Sequence, residues 1–248
     1  MLEAVRHYFR ITEDGVALPN YNPWHIGQLV IMFLGIAFFI LYGGRMRTWK
    51  SKNGFRIGLA CLLLLEDLTR NIFNLFQPTY VQVYLPLYIC HITSFATMLA
   101  LFARNRTAFT FGCIFGLFGG IIAMLTPDYA LYLPPHLYYE TFFIHHVVMV
   151  WGILYLMLVE GMRPTKKGYF ISEGLFLIIA AISLYVNAKT GANYNFLSKL
   201  PVRGSLFDWF PEGMNAVIGI PGYILISSFF YWLFSGKLFA KKTAATEM

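Results

Sequence analysis

The chain has 248 residues, of which 58% are hydrophobic, 18% aromatic and only 12% charged, with a mean hydropathy of +0.59 and a formal net charge of +7. An ordinary soluble domain carries about twice that charged share, so the composition argues against a soluble protein and for a polytopic helical membrane protein. Long continuous apolar runs, in place of short alternating segments, argue against outer-membrane strands.

Residues 1–24 (MLEAVRHYFRITEDGVALPNYNPW) lack the continuous apolar stretch of a cleavable signal and are expected to form an interfacial segment. A spanning helix needs roughly 20 mostly apolar residues. Seven segments qualify, near 25–44, 56–76, 86–103, 107–126, 137–160, 169–188 and 215–235. The expected fold is all-α, a bundle of seven transmembrane helices over 25–236, followed by a basic cytoplasmic tail over 237–248. Gly112, Gly116, Gly119 and Gly120 should let the fourth span approach its neighbours closely. Thr126-Pro127-Asp128 should end that span at the outer surface. The loop 189–214, with Pro201, Gly204, Trp209 and Pro211, should lie on the membrane surface or cap a cavity. Pro221-Gly222 interrupts the last apolar run and suggests a kink there.

Basic residues give the direction of insertion. Arg45, Arg47, Lys50, Lys52, Arg56, Arg104, Arg106, Arg163, Lys166, Lys167, Lys237, Lys241 and Lys242 fall on one side of the seven spans, against Arg6, Arg10, Lys189, Lys199 and Arg203 on the other. The richer side is cytoplasmic, which puts the amino terminus outside and the carboxyl terminus in the cytoplasm. Charge dispersed over loops in this way is a topology signal and argues against a nucleic-acid partner.

Ionisable groups inside spans are costly and mark functional sites by default. Glu66, Asp67, Arg70, Asn71 and Asn74 crowd the second span, and Glu66 and Arg70 stand i,i+4 on one face, where they can pair. Cys90 and His91 lie about one turn inside the third span, and His145 and His146 about two turns inside the fifth. Arg70, Asn71, Asn74, Cys90, His91, His145, His146 and Asn187 share the outer half of the membrane and suggest a polar pocket there. Glu160 and Glu173 fall near the cytoplasmic edge and read as interfacial.

Three chemistries fit. A cysteine thiolate is a nucleophile when a base or positive charge activates it. Cys90 has candidate partners in His145 and His146, of which the 100° offset of adjacent helical side chains lets one at most reach it. The same offset makes His91 the poorer partner. A metal site would use His91 and His145 or His146, with Asp67, Asp128 or His136 as a further ligand. A transporter or receptor is the third class. Cys61 and Cys113 have no histidine at matching depth and read as packing residues, and no cysteine pair has disulfide or zinc-finger spacing.

The stretch LPLYICHITSF at 85–95 resembles the LPLHLC-x-I-S-S-F motif of the YwaF family of bacterial integral membrane proteins, which is related to animal transmembrane protein 164. LTPD at 125–128, FFIHH at 142–146, VEGMRPT at 159–165 and GANYNFL at 191–197 follow in the same order, and the similarity covers roughly 56–235. The resemblance implies cysteine-dependent acyl transfer between a phospholipid and a lysolipid in a bacterial plasma membrane, without a soluble cofactor. Cys90 corresponds to the catalytic cysteine and His146 to the histidine of the fifth-span motif. His145 stands where bacterial members usually have a small residue, and His91 where aspartate or another polar residue is common. His91, His145, Arg70, Asn71, Glu66, Asn193 and Tyr194 are the supporting candidates, with Arg70, Asn71 and Asn193 as oxyanion donors.

Overall fold

The computed structural model describes residues 2–15, 19–127, 132–199 and 214–236. Among the described residues there are nine α-helices and no strand. They are α1 (Leu2–Tyr8), α2 (Pro23–Met46), α3 (Lys52–Asn74), α4 (Ile89–Ala103), α5 (Arg106–Phe111), α6 (Leu117–Leu125), α7 (Leu137–Leu158), α8 (Lys166–Thr190) and α9 (Asn215–Ser235). A π segment, Gly112–Gly116, joins α5 to α6 in one rod. Each of the seven expected segments coincides with a helix or with this rod. Five of them, Pro23–Met46, Arg106–Leu125, Leu137–Leu158, Lys166–Thr190 and Asn215–Ser235, are long and apolar enough to cross a membrane.

Local chemistry sets the ends. The Asn22 side chain accepts from the amides of Trp24 and His25, with Pro23 in the first turn. Asn105 caps α5 through Ala108, and Thr165 caps α8 through Gly168. Gly191 closes α8 in the left-handed region at φ 72°. Arg56, read from sequence as a loop residue, lies a turn inside α3 and is buried. Its guanidinium donates to the carbonyls of Leu101 and Phe102, satisfying the last turn of α4. α9 continues as helix through Pro221.

The third expected span is shorter than its sequence suggests. Pro86 drives the residue before it into an extended conformation, and Leu85 and Tyr88 have ψ of 144° and 139°. α4 therefore starts at Ile89 and runs for 15 residues, about 22 Å at helical rise. Cys90 and His91 consequently occupy its first turn instead of lying a turn deep.

α7 is the central helix, packed against α2, α3, α4 and α6. Phe39, Leu63, Leu101, Val150 and Tyr155 build the main core around it, while Phe111, Ile114 and Phe176 build a second core toward α9. Glycines in the α5–α6 rod permit the contact with α4 and α7. A Cβ on Gly116 would stand 2.5 Å from Thr93 Cγ2 and 2.8 Å from Ile153 Cδ1, and one on Gly120 would stand 2.7 Å from Val150 Cγ2. Gly119 departs from the expectation for this stretch: a Cβ there meets nothing within 4 Å. Large apolar side chains point outward, among them Leu41, Leu65, Ile72, Ile178 and Leu225, as expected of helices whose solvent is lipid. Glu173 is buried and accepts from Ser227 on α9 at 2.5 Å, so it takes part in the α8–α9 contact. Asp128, the segment 200–213 and the tail 237–248 lie outside the described residues.

Candidate functional site

A cavity of about 550 Å³ opens among α3, α4, α6, α7 and α9. Its walls are largely aliphatic and aromatic, and Arg70, Cys90, His91, His145 and His146 meet in it. Chain segments far apart in sequence thus deliver most of the polar groups that the sequence placed at one depth.

The position of Cys90 depends on how α4 begins. Tyr88 precedes the helix without a side-chain cap of its own. Asn195 supplies the cap from across the bundle: its Oδ1 accepts from the Ile89 amide at 2.7 Å, and its Nδ2 donates to Leu87 O and Ser183 Oγ, each at 2.9 Å. Asn195 itself sits at φ 55°, a region asparagine tolerates. Tyr194 braces the same entry, accepting from the Leu85 amide at 3.0 Å and donating to Val81 O at 2.9 Å. Asn187 holds the Tyr194 backbone through both its amide groups. Cys90 is left in the first turn of a 15-residue helix, where the macrodipole favours negative charge.

Two imidazoles flank the thiol. The ligand atoms of Cys90, His145 and His146 all lie within 4.8 Å of one another. Both histidines reach the cysteine, against the expectation that one would. The two rings are steeply inclined, at 74°, with centroids 4.9 Å apart. They are not equivalent. His146 Nδ1 donates to Phe142 O at 2.7 Å, which leaves Nε2 as the basic nitrogen. His145 Nδ1 lies 2.9 Å from Glu66 Oε2, and its Nε2 lies 3.3 Å from Cys90 O. Only a ring protonated at both nitrogens donates to both acceptors.

Glu66 and Arg70 pair as expected, at 2.8 Å, and both are buried. Arg70 also donates to Asp67 Oδ1 and to His91 Nε2, each at 2.7 Å. One carboxylate therefore links the guanidinium on its own helix to His145 on α7. Asp67 is engaged by Arg70, and His136 donates to Arg10 O near the amino-terminal segment. Neither joins the histidines of the cavity, and Asp128, the third ligand expected from sequence, lies outside the described residues. Cys90, His145 and His146 form the convergent group.

Other candidates lie elsewhere. Asn71 donates to Asp67 O on its own helix and does not line the cavity. Asn193 accepts from the amides of Ser198 and Lys199 and closes its own loop. Asn195, two residues on, is the residue that sequence reasoning passed over. The GANYNFL motif contained it, but nothing local distinguishes the two asparagines.

Chemically, the arrangement is a thiol held between an imidazole with a free basic nitrogen and one oriented by a carboxylate, opening on an apolar cavity. The TMEM164 family profile matches residues 20–239. An uncharacterized protein of Treponema pallidum (strain Nichols) is 28% identical over 177 residues, which make up 70% of this chain and 72% of that protein. No solved structure matches. With nearly the whole helical region covered by one family profile, the chain belongs to the TMEM164 family.

Proposed function

We propose that this protein is a membrane lipid acyltransferase that moves a fatty acyl chain from a phospholipid to a lysolipid or similar acceptor through an acyl-cysteine intermediate. The observation that carries this reading is the meeting of Cys90 with His145 and His146 in the wall of an apolar cavity. His146 Nε2 takes the thiol proton, and the Cys90 sulfur attacks the ester carbonyl carbon. The tetrahedral intermediate collapses with loss of the glycerol oxygen, which receives the proton from His146. The acceptor hydroxyl then gives its proton to His146 and attacks the thioester, and the Cys90 thiolate leaves and takes that proton back from His146. The protonated His145 ring, held by Glu66, keeps its positive end beside the sulfur during both steps. A dry apolar cavity disfavours water as the acceptor.

In this reading all seven helical segments span a bacterial plasma membrane, with the amino terminus outside, the carboxyl terminus cytoplasmic and the site in the outer half. α3 buries Arg56, Glu66 and Arg70 while Leu65, Leu68 and Ile72 face out. The extended stretch before Ile89 adds length to α4. Residues 1–24 lie at the outer interface, where Arg10 and Asp14 bond to the Leu133 backbone, and 237–248 form a basic cytoplasmic tail.

Intact-protein mass spectrometry on wild type and Cys90→Ala, with phospholipid donor and with or without neutral hydroxylamine, tests the reading. A hydroxylamine-labile acyl mass is expected on wild type alone. Its absence from wild type, or its persistence in Cys90→Ala, overturns the assignment.

A second reading draws on the same three side chains. Once His145 gives up its Nε2 proton and the contact with Cys90 O, one thiolate and two imidazoles also make a ligand set for a zinc-dependent lipid hydrolase. That reading requires bound metal in the purified protein and lipid cleavage that stops on chelation.

A further inference from the structure

Arg70 makes three directed hydrogen bonds, from Nε to Glu66, from Nη2 to Asp67 and from Nη1 to His91 Nε2 at 2.7 Å. A guanidinium donates and never accepts. His91 Nε2 is therefore the acceptor nitrogen, and the ring proton of the neutral tautomer sits on Nδ1. Nδ1 is buried and has no partner among the described residues. An unsatisfied buried donor calls for a physical explanation, and here the ring lines the cavity that Cys90 faces. Its centroid is 5.7 Å from that of His145 and 6.0 Å from that of Tyr88.

Building on the acyl-transfer reading, we propose that His91 is a neutral hydrogen-bond donor to the substrate, its Nδ1–H binding the ester carbonyl oxygen and holding the oxyanion of the tetrahedral intermediate. Three features favour this role over the others open to a histidine. Its one lone pair is already taken by Arg70, so it serves neither as a base nor as a metal ligand without breaking that bond. Adjacent residues on a helix point about 100° apart, so the Cys90 sulfur and the His91 ring flank a carbonyl group from two directions, one toward carbon and one toward oxygen. Preorganised donors in a site that excludes water are the strongest form of oxyanion stabilisation. Arg70, two of whose bonds go to carboxylates, is then a positioning residue that fixes the His91 tautomer.

The test compares His91→Ala, His91→Asn and His91→Gln in the full chain, reading the single-turnover rate at which the hydroxylamine-labile acyl mass appears on Cys90. Asparagine puts an amide N–H close to the Nδ1 position, whereas glutamine puts one near Nε2. His91→Ala should slow acylation roughly 100-fold. His91→Asn should recover most of that loss and His91→Gln should not, with melting temperatures alike for the two amides. Wild-type acylation by His91→Ala, or equal recovery by the two amides, overturns the donor assignment and leaves the acyl-cysteine reading standing. If His91→Ala fails to fold, the asparagine–glutamine comparison still decides. Absence of the acyl mass from wild type overturns the underlying reading, and this one with it.

Discussion

Glu66 Oε2 lies 2.9 Å from His145 Nδ1, and its Oε1 lies 2.8 Å from Arg70 Nε. One buried carboxylate thus faces a cation on its own helix and an imidazole on α7, 79 residues away in sequence. If it orients His145 beside the thiol, Glu66→Gln should slow acylation of Cys90 by about 10- to 100-fold, the usual cost of losing a group that orients a functional histidine. Asp67 stays as a partner for Arg70, so the variant should still fold. Single-turnover mass spectrometry with a parallel melt checks both expectations.

Cys90→Ser replaces a thiol by a much poorer nucleophile in the same space. Lipid remodelling should fall by roughly 1,000-fold or more if the sulfur attacks the ester. Chelators should leave wild type active. Lipid product analysis after treatment of wild type with a chelator, beside the untreated serine variant, separates the nucleophilic from the metal reading.

Gly119 and Gly222 both line the cavity, and a Cβ on either meets no atom within 4 Å. Space therefore exists for a larger side chain without a clash in the fold. Gly119→Leu and Gly222→Leu should shift the acyl chains trapped on Cys90 toward shorter lengths, read directly from the adduct mass. An unchanged chain distribution in both would mean that the acyl chain does not enter this part of the cavity.

Asn195 makes three hydrogen bonds that tie Leu87, Ile89 and Ser183 together. Asn195→Ala should cost about 1–3 kcal/mol, because the buried Ser183 hydroxyl and the half-buried backbone groups of Leu87 and Ile89 lose their mate. The start of α4 should then fray and carry Cys90 out of register with the two histidines. A lower melting temperature together with slower acylation is the expected pair of results.

His136 sits outside the spanning helices and pins the amino-terminal segment. Its Nε2 donates to Arg10 O at 2.9 Å, its Nδ1 accepts from the Tyr138 amide at 3.0 Å, and its ring stacks on Tyr132 at 3.9 Å. Burial pushes its pKa down from the usual 6.5 to about 4. A lowered folded value means that the unfolded segment takes up the proton first, so this stabilisation is complete above pH 6.5 and is lost as pH falls toward about 4. Residues 7–14 should lose protection from hydrogen exchange over that window, after correction for intrinsic rates, and His136→Asn should flatten the response. The Arg10 hydrogen bond holds the Asp14 carboxyl below its ordinary 3.8, so its release is a separate and more acidic step.

By itself, the sequence determined where the helices are. A long apolar run is driven into helix by its own backbone once water is absent, and that information is local. It also placed the Glu66–Arg70 pair, because i,i+4 spacing on one helix needs no partner from elsewhere. It drew Arg70, Cys90, His91, His145 and His146 to one depth, and the cavity joins them.

Only the tertiary structure decided how those groups face each other. Pro86 and the Asn195 clamp set the start of α4, which lifts Cys90 into a first turn and lets both His145 and His146 reach it although they diverge on their own helix. Asn195 and Asn193 look alike in sequence, and only the fold brings one to α4 and leaves the other in its loop. The proton position on His91 follows from a guanidinium 21 residues away. Gly116, Gly119 and Gly120 all line the cavity, but Gly119 has open space at its Cβ position while Gly116 and Gly120 meet neighbouring helices. Each of these outcomes depends on the rotation and offset of one helix against another, which arise from packing between segments distant in the chain.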